Sequence, residues 1–365
     1  MKKRTICLLL ALILACGVLT GCAQEPVRFQ DHLQDYVRTM DYHDGFTVLQ
    51  LTDIHWNSGT QVGDGTFGSE GYLRKVVEEA AAHAGGIDLI EITGDTFMLA
   101  QKSEVTSFID FMTSLGIPYA ITWGNHDREG EYNPNWLSQQ FREAPYSLYT
   151  EIDGDDVHER SNYIINLLNA DGSVAWQMAQ LDSGASYRKG AGDVFLTYDF
   201  LREDQFAWLM AEHEAAGENV PVICWFHIAQ ADNDVLYDAM QSGTECKNGF
   251  SKLEGFAASK YAPMTGEVFA DCNVKGVFNG HAHAIDWTVT NPDGIVYGLG
   301  VKSGQELYYG QLQPGDSISG QPVDQAMDLI GASLVTLNDT QGSFTLEHLY
   351  LNERENGDLV LWVKY

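Results

Sequence analysis

The stretch FTVLQLTDIH, residues 46–55, decides the fold, because an apolar run ends directly in an aspartate and a histidine. The same arrangement recurs in IDLIEITGD at residues 87–95 and in IPYAITWGNHD at residues 117–127. Between these runs, residues 72–83 and 104–115 carry apolar side chains at helical spacing. The order strand, helix, strand, helix, strand is typical of a layered α/β fold with parallel strands.

The rest of the chain predicts a second sheet and its helices. β-Branched and aromatic side chains, with the turn Asp171-Gly172, indicate antiparallel strands in the middle section. The further strands are predicted at residues 146–150, 162–169, 174–181, 220–226, 274–278, 295–299, 332–337, 343–349 and 359–363, and the further helices at 202–216 and 264–272. The expected fold is a four-layer α/β/β/α sandwich of two mixed sheets.

Five short motifs each follow a predicted strand. They are Asp53-Ile54-His55, Gly94-Asp95, Gly124-Asn125-His126-Asp127, His227 and Gly280-His281-Ala282-His283. Loops at the carboxyl ends of strands converge in open α/β sheets, so these side chains can meet. Two aspartates, one asparagine and four histidines can hold two divalent ions, and two adjacent ions suit attack on phosphorus. The sequence therefore predicts a dimetal site at the C-terminal ends of the strands.

One further histidine, His126, is offset from Asn125 by one residue. This offset suits a general acid that protonates a leaving alkoxide. Asp127 is expected to orient the His126 ring as the carboxylate of an Asp-His pair. The predicted catalytic residues are therefore His126 and Asp127.

In this order the motifs resemble the calcineurin-like metallophosphoesterase superfamily, whose pattern is Asp-x-His, Gly-Asp, Gly-Asn-His-Asp/Glu, His and Gly-His-x-His. The blocks at residues 181–184, 225–228 and 274–281 resemble its purple-acid-phosphatase-related branch. The resemblance implies that a hydroxide bridging the ions attacks phosphorus in line, while His126 assists the leaving group. It also implies the ligand sets: Asp53, His55 and His283 for one ion, Asn125, His227 and His281 for the other, and Asp95 for both.

The expected function is a hydrolase of phosphate monoesters. The alternatives are a phosphodiesterase that uses the same dimetal site and a non-catalytic surface binding lipoprotein. Met98 stands where true purple acid phosphatases carry the tyrosine that ligates ferric iron. Two divalent ions are therefore expected as cofactors, and the ligand types allow manganese, iron or zinc.

The amino terminus predicts an exported lipoprotein. Three basic residues at positions 2–4 precede an apolar run at 6–19 that is short for a membrane span. The run ends in Gly21-Cys22, which resembles a lipobox, whereas a plain secretory signal with a coincidental cysteine is the alternative. The expected organisation is a signal peptide at 1–21, a lipidated tether at 22–44 and a metallophosphoesterase domain at 45–365, anchored extracytoplasmically to the bacterial cell membrane through Cys22.

Composition restricts the partners. The chain carries 51 acidic and 21 basic side chains, a formal charge of -30, so nucleic acid is not expected to bind. A small phosphorylated substrate remains compatible, because two divalent ions outweigh the charges of Asp53 and Asp95. Neither the oligomeric state nor a disulfide among Cys224, Cys246 and Cys272 follows from the sequence.

Overall fold

The computed structural model describes residues 33–56, 61–62, 67–152, 157–188, 197–241, 255–283, 285, 287–304, 317–318, 321–322, 330–353 and 359–364. The predicted signal peptide, Cys22 and Cys246 lie outside these residues. The strands of the two large sheets are β1 (Val37–Asp41), β2 (Phe46–Leu51), β3 (Leu89–Thr93), β4 (Tyr119–Thr122), β5 (Tyr163–Leu168), β6 (Val174–Gln180), β7 (Val222–Trp225), β8 (Val274–Asn279), β9 (Thr288–Thr290), β10 (Val296–Leu299), β11 (Gly331–Leu337), β12 (Phe344–Glu353) and β13 (Leu359–Lys364).

Helices precede and connect these strands, and short two-stranded ribbons lie outside the large sheets. The helices are α1 (Leu33–Tyr36), α2 (Ser69–Ala84), α3 (Lys102–Leu115), α4 (Pro134–Glu143), α5 (Glu203–Ala216), α6 (Ala231–Gln241) and α7 (Gly266–Asp271), with one 3-10 turn at His126–Arg128. The ribbons pair Gln61–Val62 with Phe67–Gly68, Ser186–Tyr187 with Thr197–Tyr198, and Ser317–Ile318 with Gln321–Pro322.

Both large sheets are mixed. The six-stranded sheet has the order β13-β12-β11-β2-β3-β4, in which β2, β3 and β4 are parallel and the remaining neighbours are antiparallel. The seven-stranded sheet has the order β1-β5-β6-β7-β8-β10-β9, and β6, β7, β8 and β10 run parallel. Helix α2 packs on β2 and β11, whereas α5 packs on β6 and α7 on β8. The predicted mixed α/β fold with two large sheets is confirmed.

Polar side chains join the two sheets across the core. The Gln50 amide on β2 donates to the Asn279 carbonyl on β8 at 3.0 Å, and Tyr163 on β5 donates to the Ile121 carbonyl on β4 at 3.0 Å. All the side chains involved are buried, so each bond satisfies groups that are costly to leave unpaired. These bonds hold the strands of one sheet in a set position relative to those of the other.

Residues 146–150 are not the strand that the sequence predicts. Ser147 makes only an isolated parallel bridge to Tyr119, with the Leu148 amide donating to the Tyr119 carbonyl at 2.8 Å. Tyr149 is buried against Trp123 and Phe141, with ring centroids 5.2 Å and 6.5 Å away. The Tyr149 side chain, which suggests a strand, therefore packs in the core from a loop.

The predicted tether contains a strand. Residues 22–44 read as a polar stalk, but Val37–Asp41 forms β1 and pairs in parallel with β5. Because β1 is an edge strand, its side chains are half-buried or exposed, which explains their polar pattern. Tyr36 before it is 1% exposed and donates to Glu212 at 2.9 Å. The folded part therefore begins before residue 45.

This contact supports a prediction about stability. Burial raises the pKa of Glu212 from 4.5 to about 7, so the folded state favours its neutral form. The free energy of unfolding therefore falls as pH rises from about 4.5 through 7. Glu212→Gln keeps an acceptor for Tyr36 without the charge, and should stabilise by about 2 kcal/mol more at pH 8 than at pH 5. Urea unfolding at both pH values measures this, with exposed Glu214→Gln as the control; the same change in both variants would contradict it.

The described cysteines are free thiols. Cys224 and Cys272 are both buried and unpaired, so they form no disulfide with each other. Burial raises the pKa of the Cys224 thiol well above its usual range, which makes it unreactive. Among the described residues, no helix combines the length and the apolar character that crossing a membrane requires.

Candidate metal centre

The loops that follow five strands bring the predicted ligands to one place. Asp53 and His55 follow β2, Asp95 follows β3, Asn125 follows β4, His227 follows β7, and His281 and His283 follow β8. Ligand atoms of Asp53, His55, Asp95 and His283 all lie within 4.8 Å of one another, and so do those of Asp95, His227 and His281. Asp95 belongs to both sets. The structure thus forms two adjoining subsites, called the first and second subsite below, that share one carboxylate.

The first subsite is built around two imidazoles that face each other. Nε2 of His55 lies 3.2 Å from Nε2 of His283. Nε2 of His283 also lies 3.3 Å from Oδ1 of Asp53. The Asp53 carboxylate is fixed from behind, because the His281 amide and the Thr52 hydroxyl donate to Oδ2 at 2.9 Å and 2.8 Å.

The second subsite is organised by His227. Nδ1 of His227 lies 2.8 Å from the Thr93 carbonyl, which orients the ring so that Nε2 faces the site. That Nε2 lies 3.1 Å from Oδ2 of Asp95 and 3.2 Å from Oδ1 of Asn125. The other oxygen of Asp95 accepts the His126 amide at 2.8 Å. The shared carboxylate is therefore held in place by both sheets.

The backbone at the site is strained. Four predicted ligands, Asp53, His55, Asp95 and His281, have φ values of 49°, 45°, 49° and 74°. Left-handed φ values are uncommon outside glycine and cost about 1–3 kcal/mol each. Strain of this kind clusters at functional sites, where the surrounding structure maintains it.

Two motif glycines are required by close approach. A Cβ on Gly124 would lie 2.2 Å from Oδ1 of Asp95, and one on Gly280 would lie 1.9 Å from the Thr52 hydroxyl. Neither distance leaves room for a side chain. The glycines of the third and fifth motifs therefore let the loops close around the two carboxylates.

The site has strongly perturbed electrostatics. Burial opposes the charged form of His227, but attraction to Asp95 outweighs burial and raises the pKa of His227 to about 9. Burial likewise opposes ionisation of Asp95, yet the charge on His227 lowers the pKa of Asp95 to about 2. Burial lowers the pKa of His55 to about 4 and that of His281 to about 3. Both of these imidazoles are therefore neutral at pH 7, the form that binds metal ions, whereas His227 must release a proton when an ion binds.

The donors fit two divalent cations. Nε2 of His281 is buried in the second subsite and has no hydrogen-bond partner among the described residues. Buried polar atoms are rarely left unsatisfied, so an additional partner is expected at this position. Imidazole nitrogens with carboxylate and amide oxygens suit manganese, iron and zinc, and do not distinguish between them.

The comparison with known families agrees with this geometry. Residues 46–284 match the model of the family described as calcineurin-like phosphoesterase, a span that contains all five motifs. The chain belongs to the calcineurin-like phosphoesterase family. The dimetal dependence of the family accounts for the two subsites and their shared carboxylate.

Individual relatives of this phosphoesterase are distant. The chain is 25% identical over 304 residues to the probable inactive purple acid phosphatase 28 of Arabidopsis thaliana, covering 73% of this chain and 69% of the relative. It is 27% identical over 175 residues to a probable cyclic nucleotide phosphodiesterase of Psychrobacter arcticus, covering 46% and 57%. A solved dimetal phosphatase from Danio rerio is 12% identical with a TM-score of 0.48, covering 83% of this chain and 99% of that one.

His126 of this phosphoesterase lies at the edge of the first subsite. Its ring centroid is 5.5 Å from that of His55, and its side chain is 26% exposed. Nδ1 of His126 lies 2.8 Å from Oε2 of Glu129, three residues along the 3-10 turn. The histidine is therefore both close to the site and reachable from solvent.

Asp127 does not have the orienting role that the sequence predicts. Its carboxylate is buried, and its two oxygens accept the amides of Phe97 at 2.8 Å and Gly124 at 2.7 Å. Asp127 thus stabilises the motif loop, while Glu129 is the carboxylate that contacts His126. Glu129 carries a sequence signal that was missed, since an acid three residues after a histidine can meet it across one helical turn.

Residues 181–184, one of the blocks that resemble the purple-acid-phosphatase-related branch, support the 3-10 turn that carries His126. Asp182 is fully buried and accepts from Arg128 at 2.7 Å and from the amides of Ser161 and Gly184 at 3.1 Å and 2.9 Å. A charged bond to a buried carboxylate is strong and directional. Arg128, two residues beyond His126, is thereby fixed in position.

A third group of possible ligands is an ion-pair network. His158, Glu159 and Asp199 have ligand atoms within 4.8 Å of one another. Arg128 and Arg202 already pair with Glu159 and Asp199, respectively. A cation would have to displace two guanidinium groups, so this cluster is not assigned to a metal.

A buried lysine near the first subsite also escaped prediction. Lys302 is 1% exposed, and the next residue, Ser303, donates its amide to the Thr52 carbonyl at 2.8 Å. Beside the larger effect of burial, its positive charge also lowers the pKa of His55. No sequence pattern indicates it, because it lies in the loop after β10, well beyond the last motif.

Proposed function

We propose that this protein hydrolyses phosphate monoesters with two divalent ions bound by seven side chains. The ligands are Asp53, His55, Asp95, Asn125, His227, His281 and His283. The observation that carries the proposal is the position of Asp95, which is buried and common to both subsites. When bound, two such ions activate water as a nucleophile and offset the negative charge of the phosphoryl group.

The protein side chains supply orientation and a proton. The contact of Glu129 with Nδ1 of His126 directs the other ring nitrogen, Nε2, toward the leaving oxygen. Nε2 then donates its proton to that oxygen as the ester bond breaks. Asp127 and Asp182 hold the turn that carries His126, through Gly124 and Arg128. In the first subsite, the side chains of His55, Asp53 and His283 are each at most 8% exposed. Bulk water is therefore kept from their ligand atoms.

A small substrate is favoured by the charge distribution. The chain has a formal charge of -30, which repels large polyanions, while bound cations attract a single phosphate group. The Arabidopsis relative is named as inactive, so family membership by itself does not establish turnover. The complete ligand set together with His126 supports catalytic activity. It argues against the alternative that the protein is a non-catalytic binding lipoprotein. The Psychrobacter relative, named as a phosphodiesterase, supports a diesterase as the second candidate.

Initial rates with matched substrates test the proposal. The purified protein is stripped with a chelator and reloaded with manganese, iron(II) or zinc, and then assayed on 4-nitrophenyl phosphate and bis(4-nitrophenyl) phosphate. Metal-dependent turnover that is faster on the monoester is expected. Faster turnover of the diester would establish the second candidate, and no turnover with any ion would leave the binding protein.

We further propose that the protein is a lipoprotein at the outer side of the bacterial membrane. The support is the basic start, the apolar run at 6–19 and Gly21-Cys22. In cells fed a labelled fatty acid, the wild-type protein should carry the label and sediment with membranes. Cys22→Ser should lose the label and the membrane association, whereas Cys272→Ser, a buried control, should keep both. Label retained by Cys22→Ser would refute this anchor.

A further inference from the structure

One exposed aromatic ring stands directly against the metal centre. The ring of Tyr198 contacts that of His281 edge to face, with centroids 4.2 Å apart and planes at 81°. Tyr198 is 39% exposed, whereas Trp56 and Trp123, which flank other ligands, are almost fully buried in the core. Tyr198 therefore lies where solvent meets the second subsite.

The ribbon that carries Tyr198 is fixed on its other face. Thr197 pairs with Tyr187 and Tyr198 pairs with Ser186, so Tyr187 and Tyr198 point to opposite faces. The Tyr187 ring lies 5.2 Å from that of Phe200 and 5.5 Å from that of Tyr261. Aromatic contacts of this geometry stabilise by more than their buried area alone. The ribbon is thereby pinned on the Tyr187 face and presents Tyr198 to the site.

A charged contact strengthens this attachment. The Arg202 guanidinium lies 4.6 Å from the Tyr187 ring centroid and 3.7 Å from that of Phe200. It also pairs with Asp199, which is 5% exposed and directly follows Tyr198 in the chain. Arg202, which directly precedes helix α5, thus contacts Tyr187 in one strand of the ribbon and Asp199 and Phe200, which follow the other strand. Tyr198 is held in place by its neighbours, and its own ring remains accessible.

Tyr198 and His126 border different subsites. His126 contacts His55 in the first subsite, whereas Tyr198 contacts His281 in the second. In the proposed mechanism, a phosphoryl group placed between the two donor sets turns its leaving oxygen toward His126. A monoester needs space for one organic group, but a diester needs space for a second. The region beside His281 is already occupied by the Tyr198 ring.

We propose that Tyr198 determines ester class: its ring occupies the space that a second ester substituent needs, and so restricts the site to monoesters. This inference rests on the proposed phosphoesterase function. Steric exclusion requires the ring and not the hydroxyl, so Tyr198→Phe should behave as wild type. Tyr198→Ala should open the space beside His281 to a second substituent.

The test compares 4-nitrophenyl phosphate with methyl 4-nitrophenyl phosphate, which share a leaving group. In the metal-loaded protein, Tyr198→Ala should raise the ratio of diester to monoester kcat/KM about 10-fold or more, on the scale of steric discrimination in enzyme pockets. Tyr198→Phe should leave the ratio within about twofold. Tyr146→Ala is the control, because Tyr146 is also an exposed tyrosine, with 51% of its surface accessible. It directly precedes Ser147, which bridges to Tyr119 at the start of β4. An unchanged or lower ratio in Tyr198→Ala would overturn the inference.

Calorimetry provides a readout that needs no turnover. Phenylphosphonate and diphenylphosphinate imitate a monoester and a diester, and neither has an ester bond to break. Tyr198→Ala should bind diphenylphosphinate about 10-fold more tightly than wild type and phenylphosphonate within about twofold. If wild type hydrolyses neither ester, the proposed function fails, and this pair of affinities still decides the role of Tyr198. Loss of the metal ions in Tyr198→Ala would contradict the inference, since it would make the ring a support for His281.

Discussion

His126→Ala should lower kcat on phenyl phosphate about 10²- to 10⁴-fold, the usual contribution of a positioned general acid. The residue is 26% exposed on its side chain and borders the first subsite without belonging to either ligand set. Removing its imidazole therefore leaves the ligand atoms in place. Elemental analysis of the variant should return the same metal content as wild type.

The dependence on the leaving group distinguishes lost acid catalysis from a structural disturbance of the site. An alkoxide or phenoxide of high pKa needs a proton as it departs, whereas 4-nitrophenoxide is stable without one. His126→Ala should therefore lose much less activity on 4-nitrophenyl phosphate than on phenyl phosphate. His43→Ala, with a side chain 57% exposed near β2, is the control and should retain full activity on both. Equal losses on the two substrates would remove His126 from proton transfer.

Asp95→Asn should weaken metal binding and nearly abolish turnover. Asp95 is 1% exposed and is the one carboxylate in both ligand groups, so its charge serves both ions. Asparagine preserves the size of the side chain and removes the negative charge that attracts the cations and pairs with His227. Activity below about 1% of wild type is expected, in line with the several kcal/mol that metal ions supply to such reactions.

Metal analysis decides the cause of that loss. The variant should bind one ion or none after dialysis against manganese, whereas wild type binds two. Asp293→Asn, in an exposed turn, is the matched control and should keep both ions and full activity. Two bound ions in an inactive Asp95→Asn protein would show that its carboxylate is not a bridging ligand.

The fold could be predicted where a strand is buried and its sequence is correspondingly apolar. Strands β2 and β3 are buried along their whole length, and apart from Glu91 their residues are apolar or uncharged, so both strands are easy to recognise. Strand β1 has an exposed edge and a half-polar sequence, and its pairing with β5 depends on residues more than a hundred positions away. Tyr149 shows the opposite error, since an aromatic residue buried in a loop imitates a strand.

The candidate site could be predicted because its proposed ligands stand in short motifs at strand ends, where topology alone brings them together. The contacts of His126 could not, because Asp127 and Glu129 are both close in sequence and only the 3-10 turn selects Glu129. Tyr198 and Lys302 approach the site from segments without a motif. Their placement depends on how the Ser186–Tyr187 ribbon and the loop after β10 pack against the sheets.

Anomalous diffraction from crystals of the manganese-loaded protein tests the central claim most directly. Two peaks are expected in one cleft. The first should lie among Asp53, His55, Asp95 and His283, and the second among Asp95, Asn125, His227 and His281. A single peak, or peaks away from Asp95, would contradict a dinuclear centre built on these seven side chains.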